Sequence, residues 1–276
     1  QVNRVTTPRP PGSNFKPFLY GAALENGYSA ASVINDAPLT RGSYRPNNYE
    51  NNFLGPITLR YALKESRNVP AVRLYDLVGS DKVLEFASKF GFQTQNFPTN
   101  DLTIALGSQD VQPLELATGY SSIANGGFKV NPWFIEKVTS QLDGTLYESD
   151  PYIVCENCKT ADSTAKIAPR IMDQKVAYIL NSMLESVITE GSGNRVYREL
   201  RRDDLRGKTG TTNGPQELWF SGFNKNIATT VFVGLDQPEP LGEREQGATV
   251  AVPIWIDFMR EALNDQPEEI MSRPDG

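Results

Sequence analysis

Two strand-like runs, residues 218–223 and 227–235, lie back to back late in the chain, split only by Asn224-Lys225-Asn226. So short a break joins antiparallel neighbours, because parallel strands need a crossover of a dozen or more residues. Just ahead of them stands Arg206-Gly207-Lys208-Thr209-Gly210-Thr211-Thr212-Asn213, whose β-branched threonines suit an extended backbone. Earlier in the chain the apolar patterns are mostly helical, apart from a hairpin expected over 138–147 around Asp143-Gly144. Helices early and strands late predict an α+β domain with an antiparallel sheet, not alternating βαβ units.

The helices can be placed from their periodicity and their ends. Phe18, Leu19, Ala22 and Ala23 follow Phe15 at helical spacing, which predicts a buried helix stopped at Gly27. Ser13 then lies at its N-terminal edge, with Pro17 in the first turn and Lys16 on the same face as Ser13. Thr58 caps a helix that gives out at Ser66-Arg67-Asn68, and another runs from Val69-Pro70 to Gly79. Further helices are expected from Ser80 to Gly91, over 113–125, and over 174–190, where Val176, Leu180, Met183, Leu184 and Val187 share a face. A last one carries Ala251, Ile254, Trp255, Phe258 and Met259, whereas 41–56, rich in Asn, Pro, Gly and Tyr, reads as loop.

Composition enters by exclusion. The 276 residues include no histidine, which removes a Ser-His-Asp triad, a Cys-His dyad and any His-ligated metal. A nucleophile here must take its general base from lysine, a carboxylate or tyrosine. The net charge of −6 without a long basic run argues against nucleic acid as a partner. No apolar stretch reaches membrane-spanning length, and the opening Gln1-Val2-Asn3-Arg4 reads as a chain already under way, hence as a fragment. The only cysteines, Cys155 and Cys158, lack further ligands for zinc and are expected as a local disulfide or two loop thiols.

Three short polar motifs point to one site. A glycine-bearing strand with a lysine and hydroxyls can lie beside a peptide carboxylate, since glycine in a strand marks close approach by a ligand or another backbone. A phosphate loop would need glycine five residues before Gly207, where Arg202 stands. Ser13-x-x-Lys16 sets a hydroxyl one helical turn from an amine, which becomes a base if desolvation or a nearby cation lowers its pKa. Ser66-x-Asn68 adds a hydroxyl able to relay a proton and an amide able to hold a substrate carbonyl. Singly, these are helix caps and strand threonines; jointly and in order, they form the motif set of penicillin-binding proteins and class A β-lactamases. Ser163–Lys166 and Ser192–Asn194 copy the first two motifs, but one lies in a polar stretch and the other reads as a Gly-rich helix exit.

With Gly-Ser-Asn-Phe-Lys-Pro-Phe-Leu-Tyr from Gly12, Ser-Arg-Asn-Val-Pro-Ala-Val-Arg from Ser66, Leu-Ala-Thr-Gly-Tyr-Ser-Ser-Ile-Ala-Asn-Gly-Gly from Leu116 and Gly-Lys-Thr-Gly-Thr-Thr-Asn from Gly207, the chain resembles the transpeptidase domain of class A penicillin-binding proteins. Residues 4–38 and the Cys155-x-x-Cys158 loop resemble the Gram-negative 1a type in particular, though Ser-Arg-Asn stands where Ser-Asp-Asn is often found. The resemblance implies a five-stranded antiparallel sheet flanked by helices, with the first strands missing. Residues 1–276 would then be one N-terminally truncated transpeptidase domain, its membrane anchor and glycosyltransferase domain lying outside the chain. It also implies a periplasmic location, peptidoglycan stem peptides and β-lactams as partners alongside possible wall-synthesis proteins, and no cofactor or metal.

The implied chemistry is acyl transfer: Ser13 attacks the penultimate D-alanine carbonyl with neutral Lys16 as base. Backbone N–H groups of Ser13 and Thr211 form the oxyanion hole. Lys208, Thr209, Gly210 and Thr211 line the carboxylate end, Ser66 protonates the departing D-alanine, and Asn68 orients the peptide. Lys208 also helps to keep Lys16 neutral. A D,D-carboxypeptidase, a β-lactamase with a deacylating water and a β-lactam sensor without turnover remain alternatives on the same motifs.

Overall fold

The computed structural model describes residues 2–155 and 166–275. A 3-10 turn at Gly12–Phe15 leads into α1 (Lys16–Glu25), followed by strands β1 (Val33–Asp36) and β2 (Gly55–Thr58). Then come α2 (Leu59–Lys64), α3 (Asn68–Val78), α4 (Ser80–Lys89) and α5 (Pro113–Ala124). The hairpin β3 (Lys137–Ser140) and β4 (Gly144–Glu148) precedes α6 (Gln174–Thr189) and α7 (Asn194–Leu200). The chain closes with β5 (Arg206–Thr211), β6 (Glu217–Phe223), β7 (Ala228–Gly234), a π-helical turn at Gly247–Ala251 and α8 (Val252–Ala262).

The late strands pair as their spacing requires. β5, β6 and β7 form an antiparallel meander in which Lys208 faces Ser221 and Trp219 faces Phe232. Among the described residues this sheet has three strands, and β1–β2 and β3–β4 are separate two-stranded ribbons. Alternation along β6 serves two cores, because successive side chains leave opposite faces of a sheet. Trp219 and Phe223 join the larger helical core, with the Phe223 ring against Tyr120 of α5, whereas Phe220 packs with Trp255, Val252 and Met259 from α8. The sheet is therefore covered on both faces, and α1, whose residues from Lys16 to Leu24 are all buried, runs through the larger core.

One expectation needs correction. The 41–56 loop does not stay irregular to its end, since Gly55 begins a strand that pairs with Asp36, and Ile34 with Ile57. Four-residue strands carrying Gly and Pro give too short a pattern for recognition. In α8 the sheet-facing stripe is Val252, Trp255, Ile256 and Met259, while Ile254 and Phe258 stay about half exposed, at 49% and 51%. Position 254 lies off the stripe that 252, 255 and 259 define at 3.6 residues per turn.

Candidate active site

Ser13 sits in the 3-10 turn, and Lys16 opens α1 one turn later, as the spacing predicts. Ser13 is half-buried and lines a cleft of about 310 Å³; Lys16 is wholly buried behind it. The Lys16 amine lies within hydrogen-bond reach of Ser66 O at 2.7 Å, Asn68 Oδ1 at 2.8 Å and Arg67 O at 3.3 Å, and 3.4 Å from Ser66 Oγ. Its hydrogen bonds thus go to the Ser66-Arg67-Asn68 turn rather than to Ser13. Burial, and then the neighbouring charge of Lys208, holds the Lys16 pKa well below the usual lysine value, with Arg67 adding to the effect and Glu50 opposing it.

The second amine arrives from the sheet. Lys208 is fully buried on β5 and donates to Ser66 Oγ at 2.8 Å and Thr209 O at 3.0 Å. Burial pushes its pKa down to about 7. Ser66 Oγ therefore lies between two amines, each with a lowered proton affinity. β5 is held against the Ser13 turn by Asn14, whose Nδ2 donates to Lys208 O at 3.2 Å while Tyr120 OH donates to Asn14 O at 2.8 Å. Gly210 allows the approach, since a Cβ there would sit 2.6 Å from Pro11 O. The close approach inferred for this strand's glycines is here made by backbone.

The remaining predicted residues divide between wall and support. Ser66, Asn68, Thr209 and Thr211 line the cleft with Ser13, while Lys16 and Lys208 lie behind its surface and Gly210 is packed against Pro11. Asn68 also donates from Nδ2 to Asn47 O at 3.1 Å. Thr211 Oγ1 accepts from Gly247 N at 3.0 Å, which ties the π-helical turn to β5.

Ser192 is the residue that sequence reasoning dismissed. Its hydroxyl lies 3.0 Å from Thr209 Oγ1, and it lines the cleft. The 192–194 segment is indeed the exit of α6, but the exit folds back over β5, and Asn194 begins α7. Only the tertiary path reveals that contact. The other copy, Ser163–Lys166, has its serine outside the described residues, as does Cys158; Cys155 is disulfide-bonded.

The cleft also has walls with no sequence signal. Tyr49 and Gln246 reach across its mouth, with Gln246 Nε2 donating to Tyr49 OH at 2.6 Å. Four carboxylates, Glu50, Glu65, Glu243 and Glu245, stand along the lining, drawn from three loops that periodicity cannot place. Among the described residues no three His, Cys, Asp or Glu side chains are grouped to hold a metal ion.

Comparison with known proteins agrees with this architecture. The family model for the penicillin-binding protein transpeptidase domain matches residues 1–260. The chain is 42% identical, over an alignment 313 positions long, to penicillin-binding protein 1A of Pseudomonas aeruginosa, covering 99% of this chain and 38% of that protein. It is 37% identical to penicillin-binding protein 1A of Neisseria lactamica, again over 99% of this chain and 34% of the relative. The crystal structure of penicillin-binding protein 1A from Haemophilus influenzae superposes with a TM-score of 0.91 at 34% identity, over 99% of this chain and 45% of that one. The PonA1 protein of Mycobacterium tuberculosis, solved in complex with penicillin V, shares the fold with a TM-score of 0.84 at 23% identity, over 100% of this chain and 75% of that one.

The chain belongs to the penicillin-binding protein transpeptidase domain family. Within that family it is of the 1A type, and it spans just over a third of the length of the curated relatives named above.

Proposed function

We propose that this chain is a serine-type D,D-transpeptidase domain that cross-links peptidoglycan stem peptides through an acyl-enzyme on Ser13. The observation that carries the reading is the Ser66 hydroxyl shared by two buried amines behind the half-buried Ser13. Ser13 Oγ attacks the carbonyl of the penultimate D-alanine and gives its proton to neutral Lys16. Backbone N–H groups of Ser13 and Thr211 receive the oxyanion, an interaction whose loss costs on the order of 100- to 1000-fold. As the C–N bond breaks, the leaving D-alanine takes the Ser66 proton, which Lys16 then restores to the Ser66 oxygen. Charged Lys208, with Thr209 and Thr211, holds the terminal carboxylate, and Asn68 orients the peptide. An amine from a neighbouring stem then attacks the ester carbonyl, forming the cross-link and returning the proton to Ser13. β-Lactams, which imitate the D-Ala-D-Ala end, acylate the same serine.

The intact protein is a bifunctional wall synthase on the periplasmic face of the inner membrane, a reading supported by 1A relatives nearly three times as long. Intact-protein mass after penicillin treatment tests the site. Wild type should gain one stable adduct and Ser13→Ala none; an adduct on the variant would exclude Ser13. Rapid loss of the wild-type adduct would mark a β-lactamase. A stem-peptide substrate offered with and without an amine acceptor separates transpeptidase from carboxypeptidase, because only the former makes acceptor-dependent product.

A further inference from the structure

Ser66 occupies a position that usually belongs to glycine. Arg67 N donates to Ala62 O at 2.9 Å and Ser66 N to Leu63 O at 3.0 Å, the paired bonds of a Schellman ending on α2. That ending puts Ser66 in the left-handed region, at φ 56°. A residue with a Cβ is strained there, and it persists only where the surroundings over-determine the turn.

The constraint comes from outside both helices. Asn48, buried in the loop between β1 and β2, accepts through Oδ1 from Asn68 N at 3.0 Å and Val69 N at 3.1 Å. It thereby satisfies the first amides of α3, whose own N-cap residue, Arg67, makes no side-chain capping bond. Asn48 Nδ2 donates in turn to Asp36 Oδ1 at 2.7 Å. Asp36, with no exposed surface at the end of β1, also receives the Arg67 guanidinium, Nε at 2.9 Å and a second nitrogen at 2.7 Å. Both nitrogens meet the same Asp36 oxygen, Oδ2, while Nη1 donates to Glu50 Oε2 at 2.8 Å, so the arginine in Ser-Arg-Asn ties the buried aspartate to a carboxylate of the cleft wall.

We infer that Asp36, Asn48 and Arg67 are positioning residues that hold the Ser66 hydroxyl between Lys16 and Lys208. None of the three lines the cleft. Asp36 and Asn48 reach Ser66 only through the backbone on its C-terminal side. The inference rests on the reading of Ser66 as a proton relay.

A double-mutant cycle tests it, read as the second-order rate of acylation by a fluorescent penicillin per folded molecule. Asn48→Ala should slow acylation of the wild type about 10-fold, and most of that loss should vanish in a Ser66→Ala background, where no hydroxyl remains to misplace. Asp36→Asn, nearly isosteric, should show the same pattern more weakly and decides the question if Asn48→Ala does not fold. Equal losses in both backgrounds, as for a merely structural role, would overturn the inference, as would wild-type rates in Asn48→Ala and Asp36→Asn. A wild type that takes no adduct at Ser13 would instead overturn the proposed function itself, so the two failures can be told apart.

Discussion

Lys208 donates to the Ser66 hydroxyl at 2.8 Å. With that lone pair engaged, the serine's own proton is the mobile one. The nearest second amine is Lys16, 3.4 Å from the same oxygen. Burial lowers both amines, and the Lys208 charge lowers Lys16 further, so the pair favours one proton held and one lost. Two residues of one type can thereby supply the base and the cation that the proposed mechanism needs.

The first prediction follows from that division. In the proposed mechanism acylation needs Lys16 neutral, so the rate should rise as pH climbs through its depressed pKa. The same mechanism needs Lys208 charged to meet the carboxylate, so the rate should fall once pH passes the Lys208 value of about 7. The second-order acylation constant reports the free protein and should therefore be bell-shaped, with its alkaline limb near neutrality. A rate that stays level well above pH 7 would remove Lys208 from carboxylate binding.

Stability carries the opposite signature. Lys208 has a folded-state pKa of about 7 against 10.5 for an ordinary lysine, so between those values the unfolded chain binds more protons. Stability then rises with pH across that window, and the full penalty of burying the charge is felt below about pH 7. Lys208→Met should abolish productive acylation yet raise the melting temperature at pH 6, by roughly 2–4 °C per kcal/mol regained. Thermal scans at several pH values check it: the gap from wild type should shrink as pH rises toward 10.5. A gap independent of pH would mean that the gain is packing alone.

Legibility in the sequence followed locality. Ser13 and Lys16 lie on one turn, and periodicity sufficed to pair them; the meander was readable because the break between β6 and β7 is so short. The shared hydroxyl was not readable, because it depends on a left-handed Ser66 that local propensity disfavours and on β1, whose four residues show no pattern. Asp36 and Asn48 act through backbone amides on a different element, which no motif records. The Ser192 contact was missed for the same reason: its Gly-rich surroundings describe a turn correctly and are silent on what the turn covers.

Ser192 yields the next prediction. Its hydroxyl orients Thr209 Oγ1 from 3.0 Å, and Thr209 faces the cleft where a carboxylate would bind. Ser192→Ala should weaken acylation by about 3- to 10-fold while costing only about 1 kcal/mol of stability, the usual net worth of one hydrogen bond. Asn194→Ala, exposed at the start of α7, should leave both unchanged. Stopped-flow acylation with the two variants separates a site serine from a second copy of the Ser-x-Asn motif. A loss on Asn194→Ala would reverse the assignment.

The Ser13 turn depends on a residue almost a hundred positions away. Gly107 ends a 3-10 turn at φ 70° and accepts from Gly12 N at 3.1 Å; a Cβ there would lie 2.0 Å from Gly12 O. Gly107→Ala must therefore push back the backbone that carries Ser13, since no flexible side chain is available to yield. Gly27 is the control: its φ of 89° is equally left-handed, but nothing lies within 4 Å of its would-be Cβ. Gly27→Ala should show only the left-handed strain of about 1–2 kcal/mol, with acylation unchanged. Gly107→Ala should lose more than that by urea denaturation, by roughly another 1–3 kcal/mol of overpacking, and its folded fraction should acylate more slowly. Equal losses in the two variants would mean that the turn yields without strain and that Gly107 does not support the nucleophile.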